Sequence, residues 1–198
     1  MIHNLSRRDF LFFSTLTSLF LPFQRNALAR ELHPAISYPN TITVLKQAFN
    51  SEMIAHKHYV GYTDRAMAEK YPNIAYMFKA FSFSEKIHAD NYSRLLDKLG
   101  NKTIFVPFLI KVDDTKLNLS KAVQKELEKI KTSYPRFLKK IHKYTAYFFG
   151  SVAKEIEGMT LDIHVCKICG STIDEVPVMP CEICNKALSH YRKIDRPT

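Results

Sequence analysis

Apolar residues recur every three or four positions along four stretches of this chain, and in each stretch a glutamate interrupts the apolar face. In the first, Ile42, Leu45, Phe49, Glu52, His56 and Tyr59 fall on one side of a helix expected from Asn40 or Thr41 to about Lys70. Pro72 sits where a second helix can begin and Gly100 where it can end; its stripe is Ile74, Phe78, Phe81, Glu85, His88, Tyr92, Leu95 and Leu99. Residues 101–118, with Pro107 and the Asp113-Asp114 pair, read as a connection long enough to cross the end of a bundle. A third stripe follows in Leu119, Val123, Glu126, Ile130, Tyr134, Phe137 and Ile141, with a bend expected at Pro135. The fourth, from Tyr144 to about Leu161, offers Phe148, Val152, Glu155 and Met159 on one face and Phe149, Ala153 and Glu157 on the next, so Glu155 and Glu157 both stay open. The pattern predicts an all-helical bundle.

Burying an ionised carboxylate among apolar side chains costs several kcal/mol unless it is paired or bound to a metal. Four helices that each offer one inward glutamate point to a shared cation. Glu85-x-x-His88 places a carboxylate and an imidazole on one helical turn, aimed the same way, as di-iron carboxylate bundles require.

The tail carries the most specific pattern. Cys166-x-x-Cys169 and Cys181-x-x-Cys184 are the only cysteines, and the 11 residues between the pairs suit two knuckles closing on one tetrahedral metal. Gly170 and Asn185, not histidine, follow the pairs, which excludes c-type haem attachment. Tetrathiolate geometry admits iron or zinc.

Residues 1–29 read as an export address. Ser6-Arg7-Arg8-Asp9-Phe10-Leu11 is a twin-arginine pattern, a short apolar run extends from Phe12 to Phe23, and Ala27-Leu28-Ala29 is a small-residue cleavage site. Periplasmic or other extracytoplasmic export is the expectation, with an uncleaved anchor as the alternative. Twin-arginine routes carry folded proteins, which suits a metal loaded before export. With 46% hydrophobic and 24% charged residues the chain is neither disordered nor polytopic. Its five glycines and lack of tryptophan disfavour glycine-cradled nucleotide folds. Removing residues 1–29 takes away three arginines and one aspartate, so the net charge falls from +10 to +8. The lysines of 121–143 lie along helical faces without interleaved aromatics, and no nucleic-acid partner is expected.

Together these residues resemble the rubrerythrins, in which a ferritin-like di-iron four-helix bundle is joined to a C-terminal rubredoxin-like iron site. Glu52, Glu85 with His88, Glu126 upstream of Tyr134-Pro135, and the segments Val165-Cys166-x-x-Cys169-Gly170 and Pro180-Cys181-x-x-Cys184 carry the resemblance. Two positions depart from it. Lys129 stands where peroxidase members have a second glutamate, and no histidine lies three residues after Glu155 or Glu157, where Gly158 and Thr160 stand.

The resemblance implies an all-α ferritin-like four-helix bundle over residues 40–162 and a small rubredoxin-like four-cysteine knuckle domain over 163–198, preceded by a linker at 30–39. It implies Glu52, Glu85, His88, Glu126 and Glu155 or Glu157 as ligands of a di-iron centre, the first four also catalytic. Cys166, Cys169, Cys181 and Cys184 would hold the electron-relaying iron, or zinc. The implied function is reduction of hydrogen peroxide, or oxygen, with electrons from a redox donor protein, in a homodimer. Two other readings remain beside it: an electron carrier with a degenerate bundle site, and a zinc-stabilised structural module.

Overall fold

The computed structural model describes residues 38–131 and 153–198, leaving aside the side chains of 130, 131 and 153–155. In chain order the elements are α1 (Pro39–Ala68), α2 (Pro72–Lys98), α3 (Thr115–Lys131), α4 (Ala153–Gly158), β1 (His164–Cys166), β2 (Thr172–Ile173) and β3 (Tyr191–Lys193). The expected leader, the expected bend at Pro135 and the expected start of a fourth helix at Tyr144 fall on residues outside those described. Among the described residues, no helix is long and apolar enough to cross a membrane.

Proline opens both long helices, where its missing N–H costs nothing and its fixed φ is already helical. Lys70 turns the chain with φ 64° between α1 and α2. Gly100, at φ 70°, ends α2, and Asn101 N–H returns to the Leu96 carbonyl at 2.9 Å. The third helix begins at Thr115, earlier than the expected end of the connection at Asn118. Asp114 caps it by accepting from Leu117 N–H at 2.9 Å, while Asn118 bonds back to Asp113 through its amide. Thr115 N–H also donates to Glu69 at 2.8 Å, tying the start of α3 to the end of α1.

The core joins Tyr59 and Tyr62 of α1 to Ile74, Phe78 and Phe81 of α2 and to Leu119 and Ala122 of α3. Each fully buried side chain of this size contributes about 1.5–3 kcal/mol. Leu95, expected inside, is 47% exposed, and Leu96 is buried in its place. The reason is drift: a 3.6-residue turn slips relative to a strict three-four spacing over the length of α2.

The tail folds as a three-stranded antiparallel sheet in the order β2-β1-β3 and packs along α2. Ile163, Val165 and Ile194 enter the same core as the helices. Tyr76 of α2 donates to the Ile194 carbonyl at 2.8 Å and accepts from Ile163 N–H at 3.1 Å. Arg196 bonds Asn73 at 2.8 Å and lies over the Tyr76 ring, its guanidinium 4.7 Å from the ring centre.

Candidate metal centres

Glu52 of α1, Glu85 and His88 of α2, and Glu126 of α3 are all buried, and the three helices bring them to one place. Periodicity had put them on inward faces; packing makes those faces meet. Lys129, one turn after Glu126, enters the same place. Its ammonium donates to Glu52 Oε2 at 2.7 Å, Glu85 Oε1 at 3.1 Å and Glu126 Oε1 at 3.3 Å. The second oxygen of Glu85 faces His88 Nδ1 at 3.1 Å.

Glu52, Glu85 and His88 each offer a donor atom, all within 4.8 Å of one another. Two buried carboxylates and an imidazole on one spot fit a metal ion by chemistry and by spacing. Glu126 is engaged otherwise: Tyr59 donates its hydroxyl to Glu126 Oε1 at 2.7 Å, beside the Lys129 contact.

The electrostatics follow from burial. The Glu85 carboxyl is pushed well above the ordinary carboxylate range, first by loss of water and then by the Glu52 charge, with Lys129 opposing. For Lys129 burial pulls downward, but Glu126, Glu52 and Glu85 outweigh it and hold the ammonium well above 10.5. The Tyr59 hydroxyl is raised well above 10.0 by burial and by the Glu126 charge, so it remains a donor.

The structure redirects several sequence expectations. Glu157 does not reach the cluster; its carboxylate accepts from Ile74 N–H at 2.9 Å and Asn73 N–H at 3.3 Å at the start of α2, where free amides attract an anion. The Glu155 side chain lies outside the described residues. His56, on the inward stripe of α1, turns to Ser82 of α2, with Nδ1 2.9 Å from both its carbonyl and its hydroxyl oxygen. Tyr59 read as an apolar stripe residue, and its partnership with Glu126 had no signal in spacing.

In the tail, two hairpin knuckles present the four thiols. Gly170 N–H returns to the Cys166 carbonyl at 2.9 Å and Asn185 N–H to the Cys181 carbonyl at 2.7 Å, with φ of 80° and 54° at the two turning residues. Gly and Asn are the residues that tolerate this left-handed backbone. Cys166 and Cys184 sulfurs are 3.7 Å apart and those of Cys169 and Cys181 3.6 Å. A tetrahedron with metal–sulfur bonds of about 2.3 Å has edges of about 3.8 Å, so the set fits one ion. These are free thiols, not disulfides. The Cys169 thiol, with the N–H groups of Cys169 and Ile168, draws the Cys166 thiol down to about 4, which favours the thiolate that a metal needs.

The two centres adjoin. Gly170, next to Cys169, rests so closely on His88 that a Cβ there would lie 2.4 Å from Nε2. Ser84 donates to the Gly170 carbonyl at 2.5 Å and Asn91 to the Ile168 carbonyl at 2.9 Å. His88 therefore turns one ring nitrogen to the carboxylates and the other to the knuckle. No sequence pattern announced this contact, because its two residues are far apart in the chain.

A ferritin-like helical fold with buried carboxylates and an appended four-cysteine knuckle defines a class of non-haem iron protein. Residues 43–154 match the sequence profile of the rubrerythrin family, more than half of the chain, and the protein belongs to that family. It is 28% identical to Rubrerythrin-2 of Clostridium acetobutylicum, over 75% of this chain and 95% of that one. Among solved structures, the all-ferrous state of nigerythrin superposes with a TM-score of 0.69 at 21% identity, covering 90% of this chain and 99% of that chain. A mixed-valence state of nigerythrin gives 0.68 at 22% identity, covering 77% and 86%. Rubrerythrins carry a di-iron centre in the bundle and a four-cysteine metal site. This chain presents the Glu52–Glu85–His88 triad for the first and all four cysteines for the second.

Proposed function

We propose that this protein is an exported rubrerythrin that reduces hydrogen peroxide at the Glu52–Glu85–His88 centre, with electrons passed from the four-cysteine site. The observation that carries the reading is the contact of Gly170 with His88, which sets the thiolate site against the carboxylate site within one chain. Reduction takes two electrons and two protons per peroxide and yields two waters. The electrons come from a redox donor protein outside the chain. Bound iron supplies reversible one-electron change between ferrous and ferric.

The chain's own residues do the rest. The four cysteines would hold an iron ion between them, and the N–H groups of Ile168, Cys169 and Ser171 point at the sulfurs and stabilise their charge. His88 is fixed between knuckle and carboxylates. Glu85 turns one oxygen to Lys129 and the other to His88, which fixes its carboxylate in the cage. Tyr59 keeps its hydroxyl proton on Glu126. A cavity of about 710 Å³ between α1 and α3, lined in part by Ser51, Ala55, Tyr59, Lys125 and Lys129, offers a small oxidant a way in from the surface.

The direct test is to reduce the iron-loaded full chain without oxygen, add peroxide and follow the thiolate-to-iron absorption. Rapid return of the oxidised colour is expected, with water as the product. Gly170→Ala should slow the return, because alanine at φ 80° is strained by about 1–2 kcal/mol and its Cβ pushes the knuckle from His88. A knuckle that stays reduced rejects peroxide reduction. That result would leave the second reading, an electron carrier, which the Lys129 ammonium inside the carboxylate cluster favours.

Export is part of the proposal. With both Arg7 and Arg8 changed to lysine, the protein should remain in the cytoplasm, while the unaltered chain should appear in the periplasm cut after Ala29. Equal distribution of the two would reject the twin-arginine reading. A homodimer is likewise proposed from the family resemblance, although the intrachain contact gives electrons a route that needs no second subunit.

A further inference from the structure

We propose that the Lys129 ammonium occupies one of the two cation places of the bundle, so that the protein holds a single metal ion there, on Glu52, Glu85 and His88. The inference rests on reading the bundle as a metal centre. Lys129 Nζ stands within 3.3 Å of carboxylate oxygens from three helices, an arrangement that surrounds a cation rather than pairs with one surface charge. It is 6% exposed and lies one turn from Glu126 on the same helix, so it is tethered in place.

Glu85 divides its two oxygens between the places. Oε1 accepts from Lys129 at 3.1 Å, and Oε2 faces His88 Nδ1 at 3.1 Å. A carboxylate of this kind would bridge two metals; here it spans an ammonium and the triad. Glu126, the ligand that a second ion would require from α3, accepts from both Tyr59 and Lys129. Charge gives the same count. Carboxylates bind a metal in their ionised form, and three of them with one ammonium leave a deficit of two, which one divalent ion closes. A second divalent ion would stand against the ammonium in a water-poor cage, where like charges repel strongly.

The test is metal content per chain after anaerobic reconstitution of the full chain with ferrous iron alone, with the knuckle counted separately by its thiolate-to-iron absorption. Two irons per chain are expected, one in the knuckle and one in the bundle. In Lys129→Glu the added carboxylate replaces the ammonium, and the count should rise to three. Three irons in the unaltered protein would overturn the inference while leaving the metal-centre reading intact. A count of two in both proteins would also overturn it, because Lys129 would not be what excludes the second ion. One iron, confined to the knuckle and unchanged in Glu85→Ala, would overturn both. If Lys129→Glu fails to fold, the same count is made in Lys129→Met, where a rise above two irons is expected and a count that stays at two would overturn the inference.

Discussion

Replacing Lys129 with methionine is expected to destabilise the metal-free protein by about 3–5 kcal/mol, the usual cost of removing one partner from a buried ion pair. Methionine keeps much of the stem's volume, so the loss is electrostatic: Glu52, Glu85 and Glu126 would remain together with no cation among them. Denaturant unfolding of chelator-treated protein measures it. The sign with pH is set by the direction of the lysine shift. Held well above 10.5, the ammonium contributes in full across the neutral range, and its contribution is lost only as pH rises through the folded value. In the variant the carboxyls can relieve their repulsion by taking up protons, and Glu85, already raised, loses the Lys129 charge that lowered it. The deficit should therefore be larger at pH 8 than at pH 5. Equal stability of the two proteins at pH 8 would mean that the carboxylates are not ionised in the fold.

Changing Glu85 to alanine is expected to remove the bundle metal and to lower peroxide turnover by more than about 100-fold, beyond the 10–100-fold typical of a group that merely supports a ligand. Glu85 touches both Lys129 and His88, so its loss dissolves the triad and the bridge at once. Lys129 keeps Glu52 and Glu126 as partners, which protects the fold. The four cysteines are untouched, and their iron absorption should be unchanged. Unaltered turnover would show that the chemistry lies elsewhere. Glu85→Gln refines the result: it retains the shape and one acceptor but gives up the charge, so turnover that survives in glutamine and fails in alanine would assign Glu85 a positioning role.

Much of the fold was legible in the chain because it depends on groups a few residues apart. Pro72 opens a helix, Gly100 closes it, and a Cys-x-x-Cys followed by Gly or Asn folds its own hairpin; the first helix starts at Pro39, just ahead of the cap expected at Asn40 or Thr41. Inward glutamates were legible for the same reason, since spacing alone sets the face of a helix. Glu157 shows the limit of that argument: its face was compatible with the cluster, yet the free amides at the start of α2 claim its carboxylate.

What tertiary structure decided is how these faces meet. That Lys129 follows Glu126 by one turn is plain from the sequence; that its ammonium reaches Glu52 and Glu85, 77 and 44 positions away, depends on how three helices pack. The same holds for Gly170 on His88. Backbone hydrogen bonding and side-chain periodicity are local and repeat along the chain. The energy of a buried charge depends on every neighbour within a few ångströms, and those neighbours exist only once distant segments have packed.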